Sequence, residues 1–297
     1  MKTPEQKTAL AGRIARACAV FCVDEIIVFD DGQAPTRPPE KDGYTAYTDP
    51  NYFLYHILSY LETPPHLRKD LFPIHRDLEG AGSLPSLDMP HHLRSDERCP
   101  YREGIALRME LGEGGGVRTL VECGLRQTVS VPIELERNTR VTVRLEDGLK
   151  DTTAEPTSPD APREEAGYYW GYATRQAASL SNIFTECPYD GGYDMSIGTS
   201  ERGIPVPSLS QQAHPLTVEP KWTHLLVVFG GIAGLEAALA VDTELRSAGV
   251  EEASDVFDRW VNLVPGQGSR TIRTEEAVWV GLTALRPLVE ARNNRTS

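Results

Sequence analysis

The sequence predicts an α/β protein with a mostly parallel sheet and a small β-rich body inserted into it. Three observations carry this expectation. Strand-like apolar runs alternate with helical patterns towards both ends of the chain. Between about residues 89 and 166 the pattern changes to short alternating segments separated by turns. Near the C-terminal end, three strand-like runs each lead into a glycine-rich stretch.

In chain order, Thr3-Pro4-Glu5-Gln6 reads as a helix start, with Thr3 as cap, Pro4 at the first helical position and Gln6 reaching back. Leu10, Ile14, Cys18 and Phe21 follow at helical spacing, and "EIIVFDDG" is a short buried strand ending in a turn. A second helix starts at Asp49-Pro50, carries Phe53, Ile57, Leu58 and Leu61, and stops at Pro64-Pro65. "GIALRME", "VRTLVECG", "RQTVSVP" and "RVTVRLEDG" are β segments, with turns at Gly112–Gly116 and Asp147-Gly148, and form a small antiparallel barrel. Residues 150–166 are polar and proline-bearing, which suggests a mobile connection. The α/β domain is thus expected in two parts, 1–88 and 167–297, around an insert at 89–166.

In the second part, "YYWGYATR" reads as a strand, "QAASLSNIFTEC" as a helix, and "YDMSIGTSERG" as a strand with a polar glycine loop at its carboxyl end. "THLLVVFGGIAGLEAALAVDTEL" and "RWVNLVPGQGSRTIRTEEAVWVGLTAL" each read as strand, glycine turn, helix. Thr274 is expected to cap the last helix, and Val278, Leu282, Leu285 and Val289 form its apolar face until Pro287 disturbs its end. In an open parallel sheet, ligands sit outside the carboxyl ends of the strands, where these three loops fall.

Composition narrows the function. With 297 residues, 40% hydrophobic and 25% charged, the chain can bury a sizeable core. No stretch reaches the roughly 20 apolar residues of a membrane span, and the N-terminal segment lacks signal-peptide architecture, so an intracellular protein is expected. The five cysteines, Cys18, Cys22, Cys99, Cys123 and Cys187, sit mostly in apolar runs. Cys18 and Cys22 share a helix face, but no second pair stands at zinc spacing, and His91, His92 and Cys99 fit no metal rule; no metal is expected. A net charge of −13 opposes indiscriminate nucleic-acid binding while leaving room for local basic surfaces at 66–76 and 262–273. No Gly-Lys-Ser/Thr follows any turn, so no P-loop is present. "GGIAG" lacks the full dinucleotide fingerprint, although Glu244 and Glu251 follow it, and a nicotinamide-dependent oxidoreductase stays as an alternative. Arg270 and Arg273, beside a ligand loop in an acidic protein, suggest an anion such as RNA phosphate, or else are solvated.

"RIARACAVFCVDEIIVFDD", "PHHLRSDERCPYREGIAL", "YDMSIGTSERG", "LLVVFGGIAGLE" and "PGQGSRTIRTEEA" together resemble the SPOUT-superfamily RNA methyltransferases of the archaeal and eukaryotic group that includes the human centromere- and spindle-associated member. The resemblance covers nearly the whole sequence. Members of that group have a strand ahead of the first helix, whereas this sequence opens on the helix.

The resemblance implies a parallel sheet tied in a trefoil knot, an inserted OB-like β-barrel, a homodimer, an RNA substrate and a nuclear or nucleolar location. It also implies S-adenosylmethionine as cofactor, held by Thr199, Ser200 and Gly203, by Phe229, Gly230, Gly231 and Ile232, and by Leu263, Pro265, Gly266, Gln267, Gly268, Ser269 and Ile272. "SRTIRTEEA" is similar to a segment of bacterial enzymes that methylate N3 of an rRNA uridine, which ranks uridine first. For that reaction Arg13 and Arg202 are the candidates for orienting the target nucleotide, and Glu201 for the base. Arg13 also reads as a solvated helix residue and Glu201 as an ion-pair partner of Arg202. Arg68, Lys69, Arg270 and Arg273 are the expected RNA contacts. A non-enzymatic alternative is an RNA-binding or mitotic-assembly protein that keeps the cofactor as a structural ligand.

Overall fold

A computed structural model describes residues 3–34, 37–111, 115–146, 152–206 and 222–296. It divides into two compact units, each assembled from separated segments. One comprises Met1–Ala17, Ile27–Tyr55 and Thr174–Ser297; the other comprises Cys18–Ile26 and His56–Ala173. The second unit is wider than the expected 89–166 insert.

In the first unit, helix α1 (Pro4–Val20) opens with the expected capping box. The Thr3 amide donates to Gln6 Oε1 at 3.0 Å and the Gln6 amide donates to Thr3 Oγ1 at 3.3 Å. Strand β1 (Glu25–Phe29) forms a two-stranded sheet with β7 (Ala173–Ala177). Strands β8 (Met195–Pro205), β9 (Leu225–Phe229) and β10 (Arg259–Asn262) form a parallel sheet in the order β10-β8-β9. One apolar core holds Leu180, Leu226, Val228, Leu235 and Phe257, with Ile27 and Phe29 packed against it. Helices α5 (Leu180–Thr185), α6 (Gly234–Val241) and α7 (Thr243–Ser247) cover this side. The Asp242 carboxylate fixes the α6–α7 corner, accepting from the amides of Glu244, Leu245 and Ser181 at 3.1, 3.0 and 2.7 Å. A second cluster joins Ile197 and Val261 to Leu285 and Leu288 of helix α8 (Thr274–Thr296).

The second unit is built on a five-stranded antiparallel sheet, β2 (Tyr101–Leu111), β3 (Val117–Glu122), β4 (Val129–Val131), β5 (Arg140–Arg144) and β6 (Glu155–Thr157), in the order β4-β3-β2-β5-β6. A single parallel bridge, Ser130 to Thr153, links the β4 edge to the approach to β6. Val121, Val129, Val131, Val143 and Leu145 fill the concave side. Helix α2 (Pro50–Glu62), whose Phe53, Ile57, Leu58 and Leu61 are buried as expected, is followed by the short α3 (Arg68–Leu71).

The second unit also holds a buried polar network. Arg140 donates to both Glu62 oxygens, at 2.7 and 3.1 Å, and to Glu103 at 2.6 Å. Thr142 and Trp170 donate to the other Glu103 oxygen, at 2.6 and 2.7 Å. His91 Nε2 sits 2.9 Å from Glu62 Oε1, and His92 Nε2 donates to the Glu62 carbonyl at 2.6 Å. Burial pushes the Glu62 carboxyl up, but the bonds from His91 and Arg140 and the Arg140 charge outweigh it and hold it at about 2.

Four expectations need correction. Of the expected mobile connection at 150–166, the described part, 152–166, is not loose: β6 and helix α4 (Ala161–Ala166) lie there, because Val143 pairs with Pro156 and Gly167, at φ 69°, closes α4. Pro287 does not disturb the end of α8, which runs on to Thr296, since Leu285 and Leu288 stay buried on either side of it. Cys22 does not share a face with Cys18, because α1 ends at Val20 and Cys22 turns away exposed at φ 53°. "YYWGYATR" becomes strand only from Ala173. The turns at 112–116 and 147–148 fall partly or wholly outside the described residues. Among the described residues no helix is long and apolar enough to cross a membrane.

Candidate functional site

The carboxyl ends of β9 and β10 carry the expected loops, whereas β8 departs from the expectation. Opposite β10, Trp260 pairs with Gly198 and the next residue, Val261, pairs with Ile204. Thr199–Gly203 therefore stand across from no β10 residue and bow out of the ladder, so "GTSERG" is a bulge within β8 rather than a loop after it. Gly203 lets the chain return: a Cβ there would lie 2.3 Å from the Val261 carbonyl carbon. Thr199 Oγ1 donates to the Val228 carbonyl at 2.9 Å and ties the bulge to β9. Asn262 ties it to β10, with Nδ2 donating to the Glu201 carbonyl at 2.8 Å and Oδ1 accepting from the Val264 amide at 3.0 Å.

After β9, Gly230 and Gly231 turn into α6, and Ile232 is exposed. The Phe229 ring and the Leu263 side chain pack on Gly281 of α8, where a Cβ would meet them at 2.7 and 3.0 Å. These two side chains serve packing. After β10, Gly266 sits at φ 73° with open space around its α-carbon, and Gln267 braces the turn by donating from Nε2 to the Ser269 carbonyl at 2.7 Å. Pro265, Gly268, Ser269 and Arg270 are exposed, and Ile272 is half-buried.

The candidate charged residues separate. Arg202 is 75% exposed and pairs with Glu236 of α6 at 3.6 Å, not with Glu201. Glu201 projects exposed from the bulge. Arg13, whose side chain is 61% exposed, lies 4.0 Å from Glu275, which is only 3% exposed, so the solvated α1 arginine also reaches the start of α8. Arg273 occupies the cap position of α8, one residue before the expected Thr274; its amide donates to Glu276 Oε2 at 3.1 Å while its side chain is exposed.

Arg68, half-buried, is engaged within its own unit: Nε and Nη2 donate to the carbonyls of Thr63 and Leu61 at 2.8 and 3.0 Å, over the Tyr60 ring, closing α2. Lys69 is exposed, in the second unit. Among the described residues one side-chain set has metal-ligand composition, His56, His75 and Asp77. There the buried Asp77 carboxylate lies 3.3 Å from each imidazole Nδ1, and His75 Nδ1 also accepts the Asp77 amide at 3.2 Å, so the group closes on itself as a cap.

Sequence reasoning missed Asn262 and Asp31. Asp31 follows β1, and its Oδ2 would stand 2.7 Å from a Cβ built on Gly231. A parallel sheet with helices packed on it, whose strands carry exposed, glycine-bearing polar segments at or near their carboxyl ends, defines an α/β protein of the open-sheet class.

Comparison with known proteins specifies the class. The model of the family described as "Putative RNA methyltransferase" matches residues 1–285, and the chain belongs to that family. It is 47% identical over 302 residues to the human 28S rRNA (uridine-N(3))-methyltransferase, covering 99% of this chain and 77% of the relative. The mouse protein of the same name is 45% identical, over 96% and 72%. The "Putative methyltransferase spot-1" of Caenorhabditis elegans is 33% identical, over 98% and 78%.

Proposed function

We propose that this chain transfers a methyl group from S-adenosylmethionine to N3 of a uridine in large-subunit ribosomal RNA. The observation that carries the proposal is the set of tied strand-end loops in a chain whose relatives include enzymes named for that reaction. The loops fit a flat, polar nucleoside ligand: backbone groups along Thr199–Gly203, Gly230–Ile232 and Pro265–Ser269 lie on exposed or half-exposed chain, and Gly266 leaves open space. When bound, the donor supplies a methyl group already activated by a sulfonium.

The chain's own residues then position the target and manage its proton. Loss of the N3 proton leaves negative charge on uracil, which Arg202, exposed beside the bulge, is placed to stabilise, with Arg13 as the second cation. Glu201 is the proposed proton acceptor, since among the described residues no arginine pairs with it. Arg270, Arg273 and Lys69 are the proposed phosphate contacts.

The same reading includes a trefoil knot, a homodimer and a nuclear or nucleolar location. It also takes the five-stranded sheet as an OB-like barrel, supported by the strand order and the Ser130–Thr153 bridge.

The test is transfer of labelled methyl to unmodified large-subunit rRNA, with the product mapped by mass spectrometry, together with calorimetric titration of the donor. Methylated uridine N3 is the expected product. Gly266→Val, which forces a β-branched residue into a left-handed backbone, is expected to abolish donor binding while the protein still folds. Donor binding without turnover on any RNA would assign the non-enzymatic role. Unchanged affinity in Gly266→Val would overturn the loop assignment.

A further inference from the structure

The β1 end brings a fourth chain segment to the proposed donor loops. Asp30 and Asp31 form a tight turn: Asp30 Oδ1 accepts from the Gly32 amide at 2.8 Å, and Asp31 Oδ1 accepts from the Gln33 amide at 3.0 Å. These bonds hold the Asp31 carboxylate in place and leave its second oxygen directed at the Gly230–Gly231 turn. There it occupies the space a side chain on Gly231 would need, 2.7 Å from the Cβ position. Among the described residues, none donates a hydrogen bond to that oxygen and no cation pairs with it. An acceptor-only group held rigidly against a ligand loop selects a ligand that brings polar hydrogens. A nucleoside brings two vicinal ribose hydroxyls, and a carboxylate at a strand end beside a glycine turn is a suitable acceptor for them.

We propose that Asp31 is a donor-binding residue that accepts hydrogen bonds from the ribose hydroxyls of the methyl donor's nucleoside. The proposal rests on the donor site assigned above and adds a residue from outside its three loops. It gives Gly231 a steric reason: any side chain there would displace the carboxylate. Asp31 takes no part in the chemical step, so its removal acts on binding and not on the target's proton.

The test compares wild type, Asp31→Asn and Asp30→Asn by calorimetry with two probes: S-adenosylhomocysteine, and 5′-methylthioadenosine, which keeps the nucleoside and lacks the amino-acid end. Asparagine preserves Oδ1 for the turn and removes the charge, so both variants are expected to melt as wild type does. Asp31→Asn is expected to weaken both probes by the same factor, about 10- to 100-fold, the scale of a hydrogen bond to a charged group. Asp30→Asn is expected to bind both normally. Normal binding by Asp31→Asn would overturn the proposal, and weakening of S-adenosylhomocysteine alone would overturn it in favour of a contact with the donor's ammonium group. Wild type that binds neither probe would instead overturn the donor-site assignment itself.

Discussion

The polar network of the second unit and the strand-end segments of the first handle charge in opposite ways. In the second unit, Arg140 is shared between Glu62 and Glu103, Arg102 donates to the carbonyls of Arg94, Glu97 and Cys123, and Arg68 closes a helix. These groups are buried or half-buried and engaged within the unit. In the first unit, Glu201, Arg202, Arg270 and Arg273 stand exposed on the β8 bulge and the loop after β10, and the ion pair of Arg202 with Glu236 is open to solvent. Charge consumed internally specifies structure; charge held out on a rigid strand end contributes little to folding and is left for a ligand.

The contrast is open to attack from both sides. The largest effect is expected from Arg140→Met, which leaves two buried carboxylates without their cation and should lower the unfolding free energy by about 3–5 kcal/mol in urea titrations. A loss under about 1 kcal/mol would mean that the network is not shared.

A middling effect is expected from acid. Burial pushes His92 down to about 4, so between its ordinary 6.5 and 4 the unfolded chain binds a proton that the folded chain refuses. Stability should therefore fall as pH drops through that window. Glu62, held at about 2, adds a second loss between its ordinary 4.5 and 2. In His92→Gln the first decline should flatten while the second persists; an unchanged profile from pH 7 to 4 would remove His92 from the account.

The smallest stability effect is expected at the other pole. Arg202→Ala should shift stability by no more than about 0.5 kcal/mol, while methyl transfer falls at least about tenfold. A stability loss of several kcal/mol there would erase the distinction between the units.

The parts of the fold that were legible follow from local signals. The capping box of Thr3 and Gln6, the buried stripe of α2, and the succession of apolar strand and glycine turn at β9 and β10 need only neighbours in sequence to take shape. What stayed hidden depends on long-range partners. Glu62, His91, Glu103 and Arg140 are a network only because four separated segments converge, and nothing in "PHH" or "REG" announces it. Arg68 reads as a surface cation until α2 supplies two carbonyls for it. Strand β6 lacks an apolar run and exists because β5 offers an edge. At the site, the glycines and arginines were visible as residue types, whereas the six-residue jump in register opposite Trp260 and Val261, and the approach of Asp31 to Gly231, are facts of geometry. Glu201 and Arg202 read as a pair from their adjacency, but Arg202 finds Glu236 of α6 instead.

Asn262 has one amide with two duties. Its nitrogen holds the bulge of β8 and its oxygen holds the start of the loop after β10, so the two segments share a single hinge pin. A ligand that stills one of them stills the other, and the entropy lost on ordering both is charged to the first contact made. Donor capture at the proposed site is therefore expected to order both segments together, through a side chain that touches no reactant.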